Sequence, residues 1–84
     1  MQAEDVKSLI ESHIPQSEAT VEVNGSSYNV TVVSNAFDGL SSLKKQQLVY
    51  GALNQQIASG EIHAVTMRTF TEAEWQQAKR FNFL

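Results

Sequence analysis

"TVEVNGSSYNVTVV", residues 20–33, decides the fold. Val21 and Val23 alternate with Glu22, and further on Tyr28, Val30 and Val32 alternate with Asn29 and Thr31, which is the period of two expected of a half-buried strand. Asn24-Gly25 between them tolerates the positive φ of a tight turn, so the stretch predicts two antiparallel strands sharing one apolar face. Such a face must be covered, and the flanking segments supply the cover.

Upstream, Val6, Leu9, Ile10, His13 and Ile14 follow the i, i+3, i+4, i+7, i+8 spacing of one helix face, and Pro15 closes that helix. Downstream, "NAFDGLSS" carries turn chemistry in Asp38-Gly39, with Ser41 or Ser42 placed to cap a following helix. From Leu43 to about Ser59 the pattern is helical, with Leu43, Tyr50, Leu53 and Ile57 read as the apolar side and Lys44, Lys45, Gln55 and Gln56 as the polar one. Gly51 costs roughly 1 kcal/mol in a helix interior, so two short helices meeting near Tyr50 and Gly51 are expected, the second ended by Gly60. A strand Ile62–Phe70 follows. Thr71-Glu72-Ala73-Glu74 then reads as a capping box, with Phe70 and Trp75 as its hydrophobic staple, opening a last helix from Glu72 to about Arg80.

The expected fold is therefore α+β in the order α-β-β-α-α-β-α, one domain over residues 1–84, with a three-stranded mixed sheet and helices on one face. Composition agrees. The 84 residues are 42% hydrophobic and 18% charged, ordinary for a soluble globular chain. A net charge of −3 favours neither nucleic acid nor anionic membrane as a partner, and no apolar run approaches the roughly 20 residues of a membrane span, so a cytoplasmic protein is expected. The chain has no cysteine, which removes disulfides, thiolate nucleophiles and thiolate metal sites together.

Three motifs in sequence, "FDGLSSLKKQQLVYG" (Phe37 to Gly51), "IHAV" (Ile62 to Val65) and "FTEAEW" (Phe70 to Trp75), together resemble the BolA-like proteins, most closely the bacterial IbaG branch. The resemblance implies a fold similar to the type II KH domain. It also implies an adaptor that pairs with a monothiol glutaredoxin in [2Fe–2S] cluster binding, trafficking or iron sensing, and in some members a DNA-binding regulator of stress or morphology responses. By the same resemblance His63 is the cluster ligand from this subunit, and the strand-connecting loop "VNGSSYNV" supplies a second ligand, histidine or cysteine, where this chain has Ser26 or Ser27. Of these, Ser27 is taken as the matching position, and its neutral hydroxyl is a poor iron ligand.

Taken on its own, His63 is a lone strand histidine, and alternation puts it in one row with Val65 and Met67. A [2Fe–2S] cluster needs four donors, usually thiolates, with imidazole an accepted substitute. One imidazole cannot hold it, so the cluster is expected to be shared with the glutaredoxin and its glutathione, and the chain alone is expected to carry none. Ligation needs the neutral ring, so it weakens on acidification. His13 reads as structural, at a helix C-terminus.

Lys44 and Lys45 form a solvated helix face or, with Arg68, Lys79 and Arg80, a basic rim for DNA phosphate or an acidic partner. The G-x-x-G clamp that KH domains use is reduced in "YGALN" to Gly51 alone. Phe37, Tyr50, Phe70 and Trp75 read as core or staple, while Phe81 and Phe83 would be an apolar tail. Catalysis is not expected, since no cysteine, serine–histidine–acid set or Gly-rich phosphate loop accompanies His63. The chain is expected to be a monomer alone or a weak homodimer, without a membrane partner.

Overall fold

In a computed structural model of the chain, residues 1–80 are described. The elements run α1 (Ala3–His13), β1 (Ser17–Asn24), β2 (Ser27–Ser34), a 3-10 turn (Asn35–Phe37), α2 (Ser42–Ala58), β3 (Ala64–Phe70) and α3 (Glu72–Arg80). The sheet order is β1-β2-β3, with β1 and β2 antiparallel and β2 and β3 parallel. The mixed three-stranded sheet is as expected.

The hairpin closes at Asn24↔Ser27, so the two-residue loop is Gly25-Ser26 rather than Asn24-Gly25. Gly25 has φ +62°, the value required at the first central position of a type II′ turn, where glycine carries no Cβ penalty. The register pairs Ala19 with Val32, Val21 with Val30 and Val23 with Tyr28. On that row Ala19, Tyr28, Val30 and Val32 are buried, whereas Val23 beside the turn is exposed. Val6, Ile10 and Ile14 of α1, with Phe37, Val49, Leu53 and Ile62, complete the core.

Among the described residues three α-helices form, not four. α2 runs unbroken through Gly51 because Leu48, Val49, Ala52 and Leu53 on either side all bury apolar surface, and that outweighs the roughly 1 kcal/mol that glycine costs. Space beside Gly51 is tight as well: a Cβ there would lie 3.1 Å from His13 Nε2 at the end of α1, so the imidazole would have to give by a few tenths of an ångström. Gly51→Ala is accordingly expected to stabilise by less than about 1 kcal/mol, and the full gain to appear only with His13→Ala as well. Urea midpoints of the three variants check this, and a full gain in the single variant would remove His13 as the cause.

The apolar side of α2 also differs from expectation. Val49 and Leu53 are buried, with Leu48, Ala52 and Ile57 partly so, but Leu43 is 63% and Tyr50 45% exposed. Heptad-like spacing fits either stripe; the helix rotates so that the one with more apolar residues meets the sheet.

α1 contacts β1 and α2, and α2 contacts β3, so these two helices share one face of the sheet as expected. α3 instead touches β2 and β3 near their C-terminal ends, where Val33 is paired with Phe70 and buried outside the main core. The parity of Val33 and Phe70 belongs to the other, polar row of the sheet, so α3 closes one end of that row. Its capping box forms as read: Thr71 N–H donates to Glu74 Oε1 at 2.8 Å and Glu74 N–H to Thr71 Oγ at 3.2 Å. Phe70 and Trp75 meet with ring centroids 5.4 Å apart, which is the expected staple.

One ion pair ties α1 to the sheet. Lys7 Nζ donates to Glu11 Oε2 and to the Ala19 carbonyl, each at 2.8 Å, and Ala19 N–H donates to Glu11 Oε2 at 3.0 Å. The hydrogen bond from Lys7, followed by that from Ala19, lowers the Glu11 pKa from its ordinary 4.5. A depressed folded-state pKa adds stability that is present above the unfolded value and is lost as pH falls through the folded one. Glu11→Gln is therefore expected to flatten the loss of stability below about pH 4.5, read from denaturation midpoints across pH 3–6. An unchanged slope would show that the carboxylate carries no such linkage.

Candidate functional site

Two chain segments meet at one end of the sheet. β2 and β3 are parallel and start together, with Ser27 registered against Ala64, so the residues just before that pair are Ser26 of the hairpin turn and His63. The turn that the family resemblance marks for a second ligand is thus brought beside the histidine it marks for the first. Sequence separation of more than 30 residues hides this juxtaposition, and only the parallel register creates it.

His63 itself is not in the apolar row. β3 begins at Ala64, and His63 stands just outside it, exposed, while Val65, Met67 and Thr69 are half-buried and Ala64, Thr66 and Arg68 face solvent. The alternation of the strand does not extend back through His63, because Ile62 before it dives into the core at 1% exposure. Ile62 N–H donates to the Gln56 carbonyl at 3.2 Å, which fixes the loop to the last turns of α2. Gly60, at φ +84°, makes the left-handed exit from α2, and a Cβ there would sit 4.0 Å from His63 Cε1. His63 is thus a solvent-facing imidazole held between a buried anchor and the first residue of a strand. Ile62 is the residue that sequence reasoning missed; its signal is an isolated apolar side chain between a helix-ending glycine and a histidine.

The donor set is small. Among the described residues no three His, Cys, Asp or Glu side chains come together as a metal site. Ser26 and Ser27 are exposed and contribute neutral hydroxyls only. An iron–sulfur cluster fits here only with one imidazole from this chain and the remaining donors from elsewhere.

The five cations do not form one rim. Lys45, whose side chain is only 12% exposed, is engaged with Glu74 Oε1 at 3.2 Å, and the Thr71 N–H, with Lys45 adding, holds that carboxyl below the ordinary range. Lys44 is exposed beside His13, Leu40, Gln47 and Leu48. Arg68 projects from the polar sheet face in a hollow with Thr20, Glu22, Asn29, Thr31 and Thr66. Lys79 lies 5.9 Å from the Trp75 ring, and Arg80 ends α3. No loop interrupts α2 at Gly51, so a KH-type backbone clamp has no place there. Tyr50, read as core, is exposed; Phe81 and Phe83 lie outside the described residues. Among those residues no helix is long and apolar enough to cross a membrane.

An α-β-β-α-β-α chain with a mixed sheet and an exposed histidine at the start of its parallel edge strand defines a recognisable class. The family model described as BolA-like protein matches residues 2–74, and the chain belongs to that family. The acid stress protein IbaG of Escherichia coli K12 is 38% identical over 82 residues, which is 98% of each chain. Among solved structures, a BolA homologue from Coxiella burnetii superposes with TM-score 0.81 at 30% identity, covering 90% of this chain and 97% of the other. The BolA domain of SufE1 from Arabidopsis thaliana gives TM-score 0.74 at 28% identity, covering 86% and 93%.

Proposed function

We propose that this BolA-like protein is a non-enzymatic adaptor with a role in iron–sulfur or stress physiology. It pairs with a monothiol glutaredoxin and offers His63 as its single protein ligand to a [2Fe–2S] cluster shared with that partner and its glutathione. The observation that carries this reading is the exposed, anchored imidazole beside the hairpin turn, which a partner can reach without any rearrangement of the core. When bound, the cluster supplies iron with open demand for one nitrogen donor. This chain's residues anchor the backbone that carries that donor: Ile62 holds the loop, Gly60 makes the exit from the helix, and Ala64 begins the strand. Titration of the labelled protein with a monothiol glutaredoxin, with and without iron and sulfide, tests the reading. Amide shifts confined to residues 24–27 and 60–64, with a new visible chromophore only when iron and sulfide are present, support it; shifts confined to another face would sink it.

A further inference from the structure

Lys44, Gln47, Leu48 and Gly51 recur in α2 at i, i+3, i+4 and i+7, so they share one helix face over about two turns. The C-terminal end of α1 lies against the far end of that line, where His13 Nε2 is 3.1 Å from the position of a Cβ on Gly51. Leu40 comes from the segment that leads into α2. Together His13, Leu40, Lys44, Gln47 and Leu48 line an open cleft of about 330 Å³, at the small end of the roughly 300–1,000 Å³ found for small-molecule sites.

The cleft has an apolar floor and a polar rim. Leu40 and Leu48 are half-buried and pack against the main core, while His13, Lys44 and Gln47 are exposed. Among the described residues the ion pairs are Lys7–Glu11 and Lys45–Glu74, so Lys44 has no acidic partner there. Three other hollows on the described surface each hold a carboxylate: Glu22 facing Arg68 on the sheet, and Glu4 and Asp5 along α1. This cleft presents an ammonium, an imidazole and an amide with no carboxylate, on a chain with nine acidic residues and six Lys and Arg. Its charge and its apolar floor are complementary to one kind of ligand.

We propose that this cleft between α1 and α2 binds a small organic acid with an apolar body and one carboxylate. Lys44 and Gln47, neighbours at i and i+3, take the carboxylate: the ammonium neutralises it and the amide NH₂ donates a second hydrogen bond. Leu40 and Leu48 take the apolar body out of water. His13 walls the far end, its ring set against α2 at Gly51. An inorganic anion would leave the leucines unused, and a neutral apolar molecule would leave the ammonium unused. The site is separate from His63, since Lys44 stands in the first turn of α2 and His63 lies beyond its last.

Titration of the isotope-labelled protein with sodium octanoate near neutral pH, followed by NMR shifts, tests this. Saturable shifts at Lys44, Gln47, Leu48 and the His13 ring are expected, with a Kd of about 1 mM, the scale set by so few ligand atoms. Butanoate, which lacks much of the apolar body, is expected to bind at least about tenfold more weakly. Neutral octanamide is expected to bind about fivefold more weakly than octanoate, and Lys44→Gln, an exposed change, to weaken octanoate by about the same factor. No saturation up to about 20 mM, or shifts centred on another face, overturns the proposal. Equal affinity for octanoate and octanamide, or for octanoate and butanoate, overturns it too, as does a Lys44→Gln variant that binds like the wild type. Tighter binding of an acetylated Leu-Leu-Glu peptide than of octanoate would assign the cleft to a protein partner and overturn it as well.

Discussion

His63→Ala is expected to abolish the visible circular dichroism of the cluster-bridged complex while leaving the protein folded. The side chain is exposed, so its loss should change stability by no more than about 0.5 kcal/mol. Loss of a direct ligand should cost at least the roughly 10- to 100-fold in affinity that even outer-shell changes cost a metal site. The two effects are separable: denaturation midpoints report the fold, and absorption and circular dichroism report the cluster. An unaltered spectrum would end the assignment of His63 as ligand. The reverse change sharpens the test. Ser27 stands one register position from His63, so Ser27→His or Ser27→Cys should add a competent donor on the same sheet end and slow cluster loss, while Ser27→Ala should be silent.

Ile62→Ala is expected to lower stability by about 2–5 kcal/mol, a large part of the roughly 5–15 kcal/mol that holds a small domain together. Ile62 is 1% exposed, belongs to the main core and lies where α2 hands over to β3. Truncation leaves a cavity that a loop tied by one backbone bond to Gln56 cannot fill well. Function should fall beyond the loss of folded protein, because His63 is placed by the anchor beside it. Guanidinium denaturation gives the first quantity, and glutaredoxin affinity measured on the folded fraction, below the unfolding transition, gives the second. Wild-type stability in this variant would show that the loop is held by other contacts. Ile62→Val, which keeps the branched shape, should cost only about 0.5–1.5 kcal/mol and leave partner affinity intact.

Much of the fold is legible in short sequence patterns. Alternation in residues 20–33, the helical spacing ahead of Pro15 and the Thr71–Glu74 box are local signals, each set by interactions within a few residues, and the structure reproduces them. Departures arise where distant parts of the chain compete with a local preference. Gly51 reads as a helix break, yet the core contacts of Val49 and Leu53 carry α2 across it, and the tight space beside it is set by His13, 38 positions away. Leu43 and Tyr50 read as an apolar face until packing turns α2 to bury its better stripe. Lys45 reads as a free surface cation, and the fold gives it Glu74.

The sequence by itself determined the α+β class, the hairpin, the family and the residue types at the site, because those follow from periodicity, turn chemistry and motif. Only the tertiary structure decided that His63 lies outside the strand and faces solvent, and that the hairpin turn stands next to it. These are properties of register and of which surfaces are buried against one another. They depend on long-range pairing that no local stretch of the chain contains.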